Sequence, residues 1–363
     1  MAADLAGIHS SDPATVYLAA WARVKDFRVE DLERALYDER SLVRMSGMRR
    51  TMFVVTRDGA ATMDAACTKA LIDGQRKRQI KMVEDSGIAS NGAAFTDRVA
   101  GATMEALEAR GEATAGELKE DVPELDQKIH FGEGKRWKGS VGLSTRVLFL
   151  LATEGRIVRG RPLGSWISSQ YRWSTTESWL GGPLPVLDPE QARTDLARNW
   201  LGTFGPGTEL DVKWWSGWNL GPTRQAIGDA GAVEVEFDGG AKGYVLEDDL
   251  DPVEPPDEWV ALLPGLDPTV MGWKERFWYL GEHAGDLFDR NGNAGPTVWS
   301  NGRVVGGWAQ RPDGEVAYEL LDPVGGGARA LINAKASELT AWLDGVVVTP
   351  RFRSPLEKRL SAA

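Results

Sequence analysis

The stretch Thr114-Ala-Gly-Glu-Leu-Lys119, with the residues after it up to Arg161, carries the strongest fold signal in the sequence. Its first part predicts a short helix after a Gly-containing turn. A second helix is predicted over about residues 139–153, because Val141, Val147, Leu148 and Leu151 share one face and Glu154-Gly155 ends it. Arg156-Ile-Val-Arg-Gly-Arg161 then predicts a strand and the tip of a basic hairpin. Two helices followed by a two-stranded wing are the order of a winged helix, whose second helix can enter a groove of DNA.

Similar patterns precede and follow this stretch. Upstream, Asp12-Pro13 predicts a helix start, a second helix spans about 29–38, and Met48–Val55 predicts a strand that enters a turn at Arg57-Asp58-Gly59. Helices of about 60–86 and 94–110 complete that unit. Downstream, helices near 189–201, 210–214 and 222 lead into a hairpin of Val233–Phe237 and Tyr244–Leu246. The wing of that hairpin carries Glu234, Glu236 and Asp238, so we expect it to avoid phosphates.

After a linker at 251–257, the pattern changes to short strands. They are predicted at 260–263, 297–300, 303–308 and 315–320, with Asn301-Gly302 as a type I′ turn and one helix over about 331–344. The predicted fold is therefore α+β and α-rich, with three tandem winged-helix units followed by a small β-rich C-terminal domain. The predicted domains are residues 1–110 (the first winged helix and a helical connection), 111–188, 189–250 and 258–363.

Composition excludes several classes of site. Cys67 is the single cysteine, and His9, His130 and His283 lie far apart, so we expect no disulfide, no cysteine zinc site and no local histidine metal motif. No apolar window is long enough to span a membrane and no secretory signal is visible, which predicts a cytoplasmic protein without metal or cofactor. The Gly-rich Val324–Ala328 is either a phosphate cradle or a plain turn, and the lack of a following Lys-Ser/Thr favours the turn.

The net charge of −11 is unevenly distributed. Residues 201–300 carry 6 basic and 18 acidic side chains, whereas residues 1–200 carry 28 of each. Basic clusters in this neutral part predict one surface that follows DNA phosphates, although an ordinary solvated face is the alternative. Trp137 and Trp166 either stack on bases or pack in the core. The candidate DNA-binding residues are Arg44, Arg49, Arg50, Arg76, Lys77, Arg78, Lys135, Arg136, Lys138, Arg156, Arg159 and Arg161.

The segment Gly7-Ile-His-Ser-Ser-Asp-Pro13, with the helix after it, resembles the opening of the bacterial winged-helix DNA glycosylases typified by AlkZ and YcaQ. Four later blocks resemble the same family in the same order, and the resemblance covers nearly the whole chain. It implies three tandem winged helices plus a C-terminal β domain, and removal of alkylated purines by hydrolysis of the N-glycosidic bond. The blocks are Leu42-Val-Arg44, Met48-Arg-Arg-Thr51, Leu263-Pro264 with Asp267-Pro268, and Gly295–Gly306.

The chain departs from this family at the catalytic motif. The family's Gln-Φ-Gln, or Gln-Φ-Asp, falls on His9-Ser10-Ser11, so neither glutamine is present. A histidine common in the family's Arg-Gly-Thr-Leu-His segment is Phe53 here. Family members also usually carry a first helix before the motif. The resemblance therefore implies either that the first winged helix lacks this helix or that the sequence begins after it.

His9 and Ser11 are the candidate catalytic residues. In an extended segment, side chains at i and i+2 point to the same face, with Ser10 turned away. A neutral imidazole can accept a proton from water, and a serine hydroxyl can hold that water in line. The alternatives are a surface-loop histidine for His9 and helix capping for Ser11, while Asp12 is expected to cap the helix. No lysine lies at positions 9–11, which correspond to the family's catalytic motif, so no lyase step is expected.

The function we favour from the sequence is a monofunctional, metal-free DNA glycosylase. Its expected partner is double-stranded DNA that contains alkylated or otherwise damaged bases. Two alternatives remain open at this point: a non-catalytic DNA-binding protein or regulator that has lost the glutamines, and a winged-helix protein that binds another protein. Salt-dependent DNA binding separates the last from the others, because phosphate contacts weaken steeply with salt. Formation of abasic sites separates the first two.

Overall fold

Short helices and short antiparallel hairpins alternate along the chain in the computed structural model, which describes residues 1–132, 134 and 138–362. The helices in this part of the chain are α1 (Pro13–Trp21), α2 (Val29–Glu33), α3 (Arg57–Met63), α4 (Ile72–Asp85), α5 (Gly92–Arg110), α6 (Ala115–Asp121), α7 (Leu143–Thr153), α8 (Thr176–Leu180), α9 (Pro189–Phe204), α10 (Glu209–Ser216), α11 (Leu220–Asp229), α12 (Phe277–Leu280), α13 (Ala284–Leu287), α14 (Gly326–Leu343) and α15 (Pro355–Ala362). Within the described residues, every helix is too short or too polar to cross a membrane.

The strands are short as well. They are β1 (Ile8–His9), β2 (Leu42–Ser46), β3 (Met52–Thr56), β4 (Ala113–Thr114), β5 (Lys128–Phe131), β6 (Gly139–Gly142), β7 (Ile157–Pro162), β8 (Tyr171–Thr175), β9 (Ala232–Glu236), β10 (Lys242–Leu246), β11 (Val260–Leu263), β12 (Thr297–Ser300), β13 (Arg303–Gln310) and β14 (Val316–Leu320). By its internal contacts the chain forms two compact units, residues 32–196 and residues 1–31 with 197–363.

The unit of residues 32–196 has a helical core flanked by antiparallel hairpins. Helix α4 packs against α5 and α7, and α7 contributes Leu143, Val147 and Leu151 to the buried core. These positions lie at helical spacing, which explains why this sequence buries one face of α7. Strand β2 pairs antiparallel with β3, β5 pairs with β6, and β7 pairs with β8, onto which β4 adds.

The unit of residues 1–31 and 197–363 contains the longer sheet. Strands β11, β12, β13 and β14 form it in that order, all antiparallel, and α14 and α15 pack on it. Its core includes Tyr279, Leu287 and Leu356. Strands β9 and β10 form a separate hairpin in the same unit. Asn301 and Gly302 have φ of 48° and 81°, so the predicted type I′ turn is confirmed.

Sequence reasoning placed three element boundaries wrongly. Met48–Arg50 is a tight turn between β2 and β3, not the start of a strand, because β3 folds back onto β2. Arg57 begins α3 instead of a turn, since the Thr56 side chain accepts from Gly59 N and caps the helix. The helix predicted from 139 begins at Leu143, because residues 139–142 pair with β5. The other predicted helices and hairpins are present to within a few residues, apart from the 60–86 segment, which divides into α3, irregular helical turns and α4.

Candidate active site and nucleic-acid interface

The His9 loop, residues 6–12, follows a turn in which Ala6 and Gly7 have φ of 51° and 104°. His9 ends β1 and is only 6% exposed. The main-chain amide of Ser11, rather than its hydroxyl, donates to His9 Nδ1 over 3.4 Å. Ser10 is buried as well. The surface-loop alternative expects an exposed histidine, whereas His9 is buried.

Asp12 holds the end of this loop. Its Oδ1 accepts from Ala14 N at 3.1 Å and caps α1, as predicted. Its Oδ2 accepts from Arg351 N at 2.7 Å. Burial raises the pKa of the Asp12 carboxyl, while the backbone hydrogen bonds from Arg351 and Ala14 oppose that shift. Both carboxylate oxygens therefore serve the backbone.

Arg351 reaches the same loop with its side chain, because its Nη1 donates to Ser11 O over 3.3 Å. Sequence reasoning missed this residue. It lies 340 positions after Ser11, and no local pattern marks it. The loop is thus held from both sides, by its own helix cap and by a distant segment.

A buried ion pair anchors α1 in the same unit. Arg23 donates from Nη1 to Asp267 Oδ2 at 2.8 Å and from Nη2 to Asp267 Oδ1 at 2.7 Å. Asp267 also accepts from Thr269 N, so it opens the turn that its place before Pro268 suggested. Burial disfavours the charge on Arg23, but the Asp267 carboxylate outweighs this and raises the pKa of the guanidinium. Thr15 adds a hydrogen bond from Oγ1 to Gly265 O at 2.7 Å.

Three residues that follow Asp267 in the chain make further contacts within this unit. Trp273 Nε1 donates to Phe204 O at 2.9 Å, and Lys274 N donates to Asp211 Oδ1. The guanidinium of Arg276 lies 4.6 Å from the ring centroid of Trp214. Burial lowers the pKa of Arg276. These contacts stabilise the fold around α12.

Several of the candidate DNA-binding arginines are already paired with carboxylates. Arg76 pairs with Asp97 and with Glu154, the latter at 3.1 Å. Arg156 lies 3.5 Å from Glu154 as well. Arg161 pairs with Glu33 at 2.7 Å and with Asp38 at 3.0 Å. An arginine neutralised in this way contributes less to a phosphate-binding surface.

Arg44 and Arg159 stack with aromatic rings. The Arg44 guanidinium lies 4.9 Å from the Tyr171 ring centroid, and that of Arg159 lies 5.2 Å from Tyr171 and 5.1 Å from Trp173. Arg44 is only 2% exposed. Arg159, Tyr171 and Trp173 line a largely apolar pocket of about 470 Å³ together with Met52 and other residues. Trp166 is buried, which agrees with its core-packing alternative.

The remaining candidates within the described residues are exposed or lie in the β2–β3 turn. Arg49 and Arg50 have φ of 52° and 63°, and two consecutive bulky residues in the left-handed region cost roughly 1 to 3 kcal/mol each. Lys77, Arg78 and Lys138 are exposed. Lys135, Arg136 and Trp137 lie outside the described residues. Sequence reasoning missed Arg146 on α7, whose buried guanidinium faces the charges of Arg50 and Arg78.

Metal and phosphate-loop sites find no support in the described part of the chain. There, no three His, Cys, Asp or Glu side chains are grouped to hold a metal ion. The Gly-rich loop forms the first turn of α14. A Cβ placed on Gly327 would lie 2.8 Å from Glu258 Oε2, so a carboxylate adjoins the loop and disfavours a phosphate.

Comparisons with known proteins give one family and one solved structure. The family model described as DNA glycosylase AlkZ-like matches residues 2–342. The fold is similar to that of the Streptomyces sahachiroi DNA glycosylase AlkZ, with a TM-score of 0.69 and 21% sequence identity over 94% of this chain and 90% of that chain. No curated protein matches the chain.

Proposed function

The chain belongs to the AlkZ-like DNA glycosylase family, and on this ground we propose that it is a monofunctional DNA N-glycosylase of damaged duplex DNA. It hydrolyses the N-glycosidic bond of alkylated or otherwise damaged bases. His9 and Ser11 position the water that attacks the sugar. The observation that supports this proposal is the His9 loop, in which the Ser11 amide donates to the His9 imidazole. By the sequence resemblance, His9 corresponds to the family's first catalytic glutamine.

The hydrogen bond between Ser11 N and His9 Nδ1 supports a particular role for the imidazole. Nδ1 accepts an N–H, so in the neutral ring the proton lies on Nε2. An Nε2–H donates a hydrogen bond to the oxygen of water, as a glutamine amide does. This tautomer orients the water without removing its proton, and the geometry therefore favours positioning over the general-base role that the sequence alone suggests.

Positioning suffices for a base that leaves readily. When the C1′–N bond breaks, its electron pair returns to the purine and neutralises the charge of an N7- or N3-alkylated ring. The sugar becomes oxocarbenium-like, the water oxygen bonds to C1′, and the water proton passes to solvent. Such a mechanism predicts a preference for cationic alkylpurines over neutral lesions such as hypoxanthine, whose departure needs proton transfer.

The DNA surface and the domain count belong to the same proposal. We assign winged helices to residues 1–110, 111–188 and 189–250, with a β-rich domain at 258–363. The hairpins β2–β3, β7–β8 and β9–β10, each after helices, support this assignment. The exposed basic residues among those predicted from the sequence contact phosphates of the duplex, and the arginines paired with carboxylates contribute less to binding.

A non-catalytic DNA-binding protein is the alternative. The absence of both family glutamines favours it. It predicts the same salt-dependent binding to DNA but no base release. One assay therefore separates the two functions.

The deciding experiment incubates the full chain with oligonucleotide duplexes that each carry one lesion. The panel contains N7- and N3-alkylpurines, hypoxanthine and an interstrand crosslink, and alkali then cleaves at abasic sites. We expect release of at least one alkylpurine. Intact strands for every lesion, despite tight binding, would leave the non-catalytic alternative.

Variants of the His9 loop test the mechanism on the substrate that is cleaved. His9→Ala is expected to lower base release by about a hundredfold, because the attacking water is no longer held in place. DNA affinity should change little, because phosphates set most of the binding. His9→Gln should retain most of the rate on cationic lesions, since the amide also donates to water. Ser10→Ala is the matched control in the same loop, with an expected rate near that of the wild type. Wild-type rates for His9→Ala on every substrate would remove His9 from the mechanism.

A further inference from the structure

Among the described residues, no carboxylate compensates the charge of Arg146. Its Nε and Nη2 atoms are buried and have no hydrogen-bond partner among the described residues. The guanidinium lies 5.5 Å from the ring centroid of Phe149, on the same helix α7. Burial lowers the pKa of Arg146, and the positive charges of Arg78 and Arg50 lower it further. Unsatisfied donors on a partly desolvated cation call for an anion.

Two other arginines approach Arg146 from different elements. Arg78 lies on α4, which packs against α7, and Arg50 lies in the turn between β2 and β3. Arg50 is held there with φ of 63°, a conformation that an arginine rarely adopts. Arg78 and Arg50 thus add positive charge near the Arg146 guanidinium from a second helix and from a turn.

This arrangement differs from that of the other basic residues nearby. Arg76, Arg156 and Arg161 each pair with a carboxylate of their own chain. For Arg146, by contrast, the charges that shift its titration are both arginines. The sequence alone does not separate these groups, because all of them appear as basic positions.

We propose that Arg146, Arg50 and Arg78 form a binding site for one phosphodiester group of the DNA backbone, with Arg146 at its base. A phosphodiester offers two charged oxygens to several planar N–H donors, which suits converging guanidinium groups. The proposal rests on the proposed function for its ligand, because α7 is the second helix of the assigned second winged helix. The bound phosphate satisfies the buried N–H groups of Arg146 and offsets the repulsion among the three cations.

The first arm of the test does not use DNA. The melting temperature of the full chain is measured in inorganic phosphate and in chloride at equal ionic strength. Wild type should melt higher in phosphate, since an anion that binds the folded state stabilises it. Arg146→Met should lose this difference, and in chloride it should melt at or above the wild-type temperature, because it removes an uncompensated buried charge.

The second arm measures binding to an undamaged duplex over a range of salt concentrations. Arg146→Met is expected to weaken binding about tenfold and to make the logarithmic salt dependence shallower by about one. Arg110→Met is the matched control, because it removes the same charge from an arginine that pairs with Asp121. It should leave both quantities unchanged. If Arg146→Met does not fold, Arg78→Gln replaces it, because Arg78 is exposed. The same weakening of DNA binding and the same shallower salt dependence are expected for this variant.

The outcomes separate this proposal from the proposed function. Loss of both the phosphate effect and the unit of salt slope supports the site. Loss of the phosphate effect with unchanged DNA binding overturns it in favour of a free-phosphate site, and no change in either arm overturns the site altogether. If the wild type and the variants bind DNA as expected but the wild type releases no base, the glycosylase mechanism fails while the phosphate site stands.

Discussion

Breaking the Arg23–Asp267 ion pair should destabilise the unit of residues 1–31 and 197–363 in an asymmetric way. The Asp267 side chain is 0% exposed, whereas that of Arg23 is 19% exposed. Arg23→Met therefore leaves a fully buried carboxylate whose described hydrogen bond is the one from Thr269 N. Asp267→Asn leaves a cation that still reaches Ala19 O and the hydroxyl of Thr269 and partly contacts water.

The expected magnitudes follow from these contacts. Removing one partner of a buried pair costs about 3–5 kcal/mol, and we place Arg23→Met in that range because its orphaned charge has no route to solvent. For Asp267→Asn we expect about 2 kcal/mol, since two charge-assisted hydrogen bonds are weakened and the amide oxygen retains one acceptor. The double variant carries no buried charge. It should be more stable than Arg23→Met alone by about 1–2 kcal/mol.

Urea unfolding at neutral pH measures these differences without the ionic screening that guanidinium chloride adds. Because the chain forms two compact units, hydrogen exchange of amides in α1 and β11 should accompany it, so that this unit is observed by itself. Additive losses in the double variant would refute the reasoning, because they would mean that the two side chains do not stabilise one another. Equal losses for the single variants would refute the asymmetry.

Two further perturbations test the titration of Asp64 and the support of the His9 loop by Arg351. Burial raises the pKa of Asp64 above its ordinary value of 3.8, against the opposing charge of Lys69, so the stability due to this carboxyl is complete below 3.8 and is lost as pH rises through the raised pKa. The melting temperature of Asp64→Asn minus that of the wild type should therefore grow as pH rises above 3.8 and then level off, and a difference that stays constant with pH would contradict this. Arg351→Ala removes the side-chain hydrogen bond to Ser11 O but keeps the backbone hydrogen bond to Asp12. Single-turnover base release should therefore fall about fivefold, while DNA affinity stays unchanged. Arg351→Lys should recover part of the lost rate. An unchanged rate would exclude Arg351 as a positioning residue.

The sequence predicts elements well where the signal is local. The apolar spacing of α7, the Asp12-Pro13 helix start and the Asn301-Gly302 turn each depend on a few neighbouring residues, and each is present. The β2–β3 turn is different. Met48-Arg-Arg-Thr51 has the composition of a strand, but pairing of β3 with β2 forces the arginines into a left-handed turn.

The residues of the candidate site likewise differ in whether a local sequence signal predicts them. His9 and Ser11 are two positions apart in sequence, so their proximity follows from the local backbone. Arg351 and Arg146 are not predictable in this way, because their roles depend on contacts between distant segments. Whether an arginine is paired with a carboxylate is likewise a property of the folded chain, and charge clusters in the sequence do not reveal it.

The bond between Asp12 and Arg351 also constrains when the enzyme becomes complete during synthesis. Arg351 follows Asp12 by 339 positions, so the ribosome adds Arg351 long after residues 6–12. The hydrogen bonds between Arg351 and the proposed catalytic loop therefore form only after the intervening residues have been made. Contacts of such long sequence separation form slowly, since most of the chain must be ordered before they close. A nascent chain that already has its earlier helices and hairpins still lacks this support for the proposed catalytic loop until Arg351 has been added.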